Sequence, residues 1–249
     1  MTEKVKPARL GDFAKATTAT NSTAPTSEGS QNPNESKLPP DVEFQLPKFE
    51  LDLGFFISKG NEPFTEESLI AKVFGEEGKR LSQPEQIYVL LNAMQDLEVV
   101  APLNFECEHC GHENPIAVEL AKVMKTSSSS KERFFIEYTG KDSKDGTKGT
   151  HYIFEFVRPE IIQDVGHIDS PTASIGMFML QWLDAHNQGD DFDILKMRLV
   201  DFLAVAKLFG EKMFGVLFET KFKCAKCKKQ NTQEFGISLK DLVDILNEI

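Results

Sequence analysis

Apolar side chains recur at two spacings along this chain, and each change of spacing marks an element. Val42-Glu43-Phe44-Gln45-Leu46 and Phe49-Glu50-Leu51-Asp52-Leu53 alternate apolar with polar, which predicts two half-buried strands. Pro47 between them points to a sheet edge or a bend, since proline cannot donate to a ladder. The period then lengthens. Thr65 is placed to cap a short helix that turns Leu69, Ile70 and Val73 inward and stops at Gly75. A stronger helix follows, with Ser82 as N-cap, Pro84 in the first turn, Glu85 as capping-box partner, and Ile87, Leu90, Leu91, Met94 and Leu97 at helical spacing. A strand-like run leads to Cys107, and Ile116, Val118, Leu120 and Val123 lead away beyond it.

After the four serines 127–130, which read as a linker, the pattern becomes aromatic. Phe134-Phe135-Ile136-Glu137-Tyr138 and Tyr152-Ile153-Phe154-Glu155-Phe156-Val157 predict a hairpin around a polar loop that carries Lys141, Lys144 and Lys148. These lysines read as solvated loop charge and the aromatics as core. Pro171 to His186 is the next helix, in which Trp182 and the methionines pack. Asp190, Asp191 and Asp193 lack the correctly placed Gly and Glu of a calcium loop and read as a cap. A long helical stretch, 192–214, is expected to bend or break near Gly210. Val216 to Phe222 is a strand, and Ile237, Leu239, Leu242, Val243, Ile245 and Leu246 form an amphipathic close. The expected partition is 1–40 as a tail, 41–126 as a first strand/helix module, 127–190 as linker, hairpin and helix, and 191–249 as a helix with a second module. Residues 14–40 hold too little apolar surface to offset the entropy of ordering, so the tail is expected to be disordered, with Leu10 and Phe13 as a candidate anchor.

One motif occurs twice. Phe105-Glu106-Cys107-Glu108-His109-Cys110-Gly111-His112-Glu113-Asn114 is echoed 117 residues later by Phe222-Lys223-Cys224-Ala225-Lys226-Cys227-Lys228-Lys229-Gln230-Asn231. The four cysteines of the chain are all used. A Cys-x-x-Cys turn presents two thiolates, half of a tetrahedral zinc site, and two such turns complete it. Cys107, Cys110, Cys224 and Cys227 are therefore the candidate ligands of one structural Zn2+, with His109 and His112 solvated or behind the ligands. The knuckles are 113 residues apart, a separation that loop-closure entropy tolerates. The fold class expected is α+β, with two related strand–helix–knuckle modules joined through this site and a disordered N-terminal tail. Val118-Glu119-Leu120 aligns with Ile237-Ser238-Leu239, so a duplication would carry a two-residue insertion in its second copy.

Cysteines at this spacing have other uses. Disulfides suit a secreted chain, and the first residues here lead into no apolar core that would mark a signal peptide. A thioredoxin-like centre wants its first Cys at a helix N-terminus, whereas Cys107 follows a strand and Gly111 interrupts what comes next. Knuckles that once bound metal and now only pack are a third reading. Charge narrows the field further. The chain carries 28 Lys+Arg against 39 Asp+Glu, a net charge of −11 that repels phosphate backbones. Nucleic acid is thus a poor default partner, although Lys221, Lys223, Lys226, Lys228 and Lys229 form a basic cluster at the second knuckle. No run is long and apolar enough to be a membrane segment. The expectation is a protein of a reducing compartment that is not secreted.

Leu195 to Leu203, Gly210-Glu211, Phe218-Glu219-Thr220-Lys221-Phe222-Lys223-Cys224-Ala225-Lys226-Cys227 and Ile237-Ser238-Leu239-Lys240-Asp241-Leu242 together resemble the baseplate hub and hub-assembly proteins of T-even-type contractile-tailed bacteriophages. In that family a helix, a Gly-Glu turn and a strand lead into a Cys-x-x-Cys, followed by an acidic-hydrophobic segment. The likeness covers the last 60 residues or so, and the doubled knuckle here departs from the family's usual single one. It implies a structural or assembly protein of a phage tail, made in the host cell cytoplasm, either as a component of the virion tail or as an assembly factor. Its partners would be other baseplate or tail proteins, with self-association left open and no catalysis. The sequence also shows no Ser-His-Asp order, phosphate-cradling Gly loop or His-Glu-x-x-His motif. A zinc-ribbon nucleic-acid or transcription-associated module and a thiol oxidoreductase are the alternatives.

Overall fold

Two apolar cores organise the computed structural model, which describes residues 38–49, 63–95, 99–140, 149, 151–163, 165, 170–184 and 197–248. The tail anchor Leu10 and Phe13, the loop lysines 141, 144 and 148, the aspartates 190, 191 and 193, and most of the second expected strand lie outside the described residues.

In chain order, β1 is only Val42–Glu43. The alternation predicted a strand to Leu46, but the register slips between these two residues. The Phe44 amide then bonds the Ser130 carbonyl (3.0 Å), and its ring lies 4.0 Å from the Arg158 guanidinium. Helix α1, Glu66–Val73, starts at a capping box in which Thr65 and Ser68 exchange side-chain-to-amide bonds of 2.9 and 3.1 Å. It buries Leu69 and Val73, and Gly75, at φ +54°, turns the chain into a short 3₁₀ segment, Gly75–Arg80. Helix α2, Gln83–Ala93, starts where Ser82 and Glu85 predicted, with the Ser82 amide donating to the Glu85 carboxylate at 2.8 Å.

Strands β2, Val100–Glu106, and β3, Glu113–Glu119, form an antiparallel hairpin around the first knuckle. A single helical turn, α3 (Leu120–Val123), and strand β4 (Met124–Thr126) follow. The aromatic hairpin is β5, Lys131–Thr139, paired with β6, His151–Val157. Helices α4, Pro171–Trp182, and α5, Leu199–Lys212, pack together, with Gly176 so close to Phe202 that a Cβ there would lie 2.8 Å from its ring. The expected bend at Gly210 is absent: α5 runs through it and ends two residues on, where the chain turns toward Val216. Strands β7, Val216–Lys223, and β8, Gln230–Phe235, flank the second knuckle, and α6, Leu239–Glu248, closes the chain.

The first core draws on both ends of this order. Leu69, Leu90, Leu91, Met94 and Leu120 meet Phe218, Phe222, Leu242 and Leu246. Strand β4 pairs with β7 (Met124 opposite Phe218), and the Asn247 amide bonds both the N–H and the carbonyl of Phe64, at 2.7 and 3.0 Å. The second core is the middle of the chain: Phe134, Phe154 and Phe156 of the hairpin against Met179, Trp182, Val205 and Phe209 of α4 and α5. Trp182 is packing, as its surroundings in the sequence suggested. The partition drawn at 190/191 does not follow this packing, because α5 buries its apolar face on the hairpin and leaves the second knuckle to the first core.

Three of the four serines form a clamp, which corrects their reading as a linker. Ser128 Oγ donates to the Met213 carbonyl (2.8 Å), the Ser127 amide to the Gly215 carbonyl (3.0 Å), and Ser130 Oγ to the Glu85 carboxylate. That carboxylate is the hub of the joint between the cores. The Arg158 guanidinium grips it with two bonds (2.7 and 2.9 Å), both side chains being fully buried. Arg158 also donates to the carbonyls of Arg80 and Lys131, at 2.7 and 2.8 Å, and its guanidinium lies between the rings of Phe44 and Trp182. Burial opposes the charge on Glu85, but Arg158, Ser130 and the Ser82 amide outweigh it and hold the carboxyl below its usual range. At the far end of β5, Tyr138 donates to Asp201, in the first turn of α5, at 2.8 Å. The aromatic hairpin is thus held at both ends by buried acids from helix first turns.

Candidate metal centre

Each Cys-x-x-Cys sits on the turn of a hairpin, where the strands narrow and the backbone must reverse. The Cys107 amide bonds the His112 carbonyl and the Cys224 amide bonds the Lys229 carbonyl, both at 2.9 Å. The chain then passes through left-handed backbone at Gly111 (φ +66°) and, at the equivalent place, at Lys228 (φ +64°). The Gly111 amide donates to the Cys107 carbonyl (2.8 Å), and the Lys228 amide to the Cys224 carbonyl (3.0 Å). Every one of these pairs is 117 residues apart, so one local geometry is built twice.

The two turns face each other. All four candidate sulfurs lie within 4.8 Å of one another, with Cys107 Sγ 3.6 Å from Cys227 Sγ and Cys110 Sγ 3.7 Å from Cys224 Sγ. Both of these contacts cross between knuckles. A disulfide would need about 2.05 Å. A tetrahedron with metal–sulfur bonds of about 2.3 Å has edges of about 3.8 Å, which the two cross contacts match closely. The four cysteines form a cluster able to hold a metal ion. His109 and His112 are exposed and stand outside it, although the His112 carbonyl shapes the turn. Cys107 is at a turn between strands, and no helix begins there.

Polar backbone groups already favour thiolate at the first cysteine of each turn. The Cys227 amide lowers the Cys224 thiol to about 6, against burial and with help from the Lys226 amide and the thiols of Cys107 and Cys110. Burial raises Cys107, but the amides of His109 and Cys110 and the Cys227 thiol bring it below the usual value. The His112 amide lowers Cys110, yet desolvation and the three neighbouring sulfurs push it up to about 11. Protons therefore concentrate on the exposed Cys110, and charge on the buried first cysteines.

Two asparagines lock the turns together. Asn114 Oδ1 accepts from the Ala225 amide of the other knuckle (2.8 Å), and Asn231 Oδ1 accepts from the Glu108 amide (3.1 Å). Each side-chain amide also donates within its own turn, Asn114 to the His112 carbonyl (2.7 Å) and Asn231 to the Lys229 carbonyl (3.0 Å). Both are buried. Beneath them Phe105 and Phe222 stack with centroids 5.8 Å apart, the same residue of each copy meeting itself. The sequence carried this signal as an Asn four residues after each second cysteine, but the spacing alone does not say that it reaches across.

Fold and site together define a mixed helix-and-strand protein whose two hairpin turns bring four cysteines to metal-binding distance. Comparison with known protein families, curated proteins and solved structures finds no match. Among the described residues no helix is long and apolar enough to cross a membrane.

Proposed function

We propose that this chain is a non-catalytic structural or assembly protein in which one zinc ion joins the two knuckles and fixes a surface for protein partners. The observation that carries the reading is the crossed four-sulfur cluster, with its reciprocal asparagine bonds. A four-thiolate set suits zinc or iron over hard cations. As a zinc site it leaves no position for water or substrate, so the ion's work is structural. The resemblance of the C-terminal segment to T-even baseplate hub proteins supports the setting: assembly in the host cytoplasm, residence in a phage tail, and other baseplate or tail proteins as partners. The test is metal analysis of purified protein with a chelator melt alongside. One zinc per chain, with the melting temperature collapsing on chelation and the same collapse in Cys224→Ser, is the expected result. Iron, no metal, or chelation without effect on melting overturns the zinc clamp.

A second reading, a nucleic-acid-binding ribbon, is favoured by one observation: the five lysines around the second knuckle are all exposed. Salt-dependent binding of a labelled oligonucleotide, lost on lysine reversal, would establish it.

A further inference from the structure

The two knuckles share one backbone and carry opposite charge. Around the first, residues 100–121 contain no Lys or Arg, and Glu106, Glu108 and Glu113 are exposed. Glu106 and Glu113 are direct cross-strand partners at the mouth of the turn, a like-charge pairing that costs stability. Around the second, residues 220–233 contain no acid, and five lysines are exposed. Lys221 and Lys223 share the solvent face of β7, since Phe222 between them is buried. Glu106 in the first copy corresponds to Lys223 in the second, and His112 to Lys229, at the constant offset. Among the described residues none of the three carboxylates and none of the five lysines is in a salt bridge.

We infer that this paired head is a self-docking surface: two copies of the chain meet knuckle to knuckle about a two-fold axis, each acidic turn receiving the other copy's lysine turn. Charge complementarity and symmetry select this occupant. Because the faces are adjacent and built alike, a two-fold operation sets acid on base twice and closes, as an isologous interface does. Such an arrangement also relieves the repulsion between Glu106 and Glu113, neither of which has a salt-bridge partner among the described residues. A polyanion on the lysines fits less well, since Glu108 lies at the seam between knuckles, where its amide bonds Asn231. The inference rests on the reading of the chain as an assembly protein that works through protein contacts, and it names one of them.

The experiment uses zinc-loaded full chain at about 0.01 M and about 0.15 M salt, where the screening length falls from about 30 to about 8 Å. Mass is read by analytical ultracentrifugation, and zinc content is measured on every sample. Wild type is expected to be a dimer at low salt, with association weakened at least about tenfold at the higher salt. Lys221→Glu/Lys223→Glu/Lys226→Glu leaves two acidic faces and is expected to be monomeric. Glu106→Lys/Glu108→Lys/Glu113→Lys leaves two basic faces and is expected to be monomeric too. An equimolar mixture of the two variants, each with its zinc, recovers a one-to-one dimer. A zinc-loaded wild type that stays monomeric at low salt overturns the inference and leaves the zinc reading intact. Dimers that survive in either triple variant, or monomers whose lysines bind a labelled oligonucleotide, overturn it as well.

Discussion

Truncating Asn114 should loosen the knuckle pair by an amount that its bonds set in advance. Asn114→Ala removes the acceptor for the Ala225 amide (2.8 Å) and the donor to the His112 carbonyl (2.7 Å), besides a long contact to the Phe105 carbonyl (3.4 Å). The two short bonds are worth about 1 kcal/mol each net, and the Ala225 amide, on an exposed residue, recovers part of its loss from water. The expected destabilisation is about 1–2 kcal/mol, read by urea unfolding at fixed excess metal. Since the bond to Ala225 spans the two turns, energy of this size spent on closing them weakens metal binding by about 5- to 30-fold, at about 1.4 kcal/mol per decade. Competition against a chromophoric chelator reads that number. Asn231→Ala, whose bonds are longer at 3.1 and 3.0 Å, should fall at the low end. Asn104→Ala, on the exposed face of β2, is the control and should stay within about 0.5 kcal/mol of wild type. An Asn114→Ala protein as stable as that control, holding metal as tightly as wild type, would refute the reciprocal lock.

Three further outcomes follow from the same geometry. Arg158→Met strands the Glu85 carboxylate in the joint between the cores and should cost about 3–5 kcal/mol, whereas Arg158→Met/Glu85→Leu should recover a good part of it, measured by chemical unfolding. Lys228 holds a left-handed backbone that its counterpart meets with Gly111, so Lys228→Gly should stabilise by about 0.5–1 kcal/mol in thermal melts, and a loss would show that the lysine side chain matters there. In reduced, metal-free protein, ultraviolet thiolate absorbance should show one step near pH 6 that Cys224→Ser removes. Because folding depresses this thiol, its contribution to metal-free stability is fully present above the ordinary value of about 8.5 and drains away as pH falls through about 6. Thiolate appearing only above pH 8 would contradict the amide-stabilised anion.

Legibility in the sequence tracked how local each determinant is. Thr65 with Ser68, and Ser82 with Glu85, act within one helical turn, so both helix starts could be read directly. The aromatic hairpin and the doubled knuckle were legible because alternation and repetition survive in one dimension. What escaped was what a partner far along the chain decides. Arg158 is a lone cation after a strand, and nothing near it announces a carboxylate 73 residues earlier. The serines 127–130 look like spacer by composition, and only the arrival of Met213, Gly215 and Glu85 beside them makes the hydroxyls of Ser127, Ser128 and Ser130 structural. Phe44 left its strand because a guanidinium offered its ring a better place than a ladder did. Gly210 did not break α5, since its helical backbone needs no special angle and what ends the helix is the turn into β7. The four ligand candidates were found by count and spacing, whereas their crossed pairing came only from the fold.

The interleaved build of the first core has a consequence for a chain made from one end. Its first half, with Cys107 and Cys110, leaves the ribosome 113 residues before Cys224. At about 5–20 residues per second that is a wait of roughly 6–23 seconds. During it the hairpin and its two helices, which lie wholly between the knuckles, have every residue they need to collapse first. The earlier half cannot, because Phe218, Phe222, Leu242 and Leu246 have yet to be synthesised. Completion then comes in one late event, when β7 slides beside β4 and the second pair of thiols reaches the first. A captured metal ion would report that event and no earlier one: a nascent chain stalled before Cys224 offers it half a site and an open core.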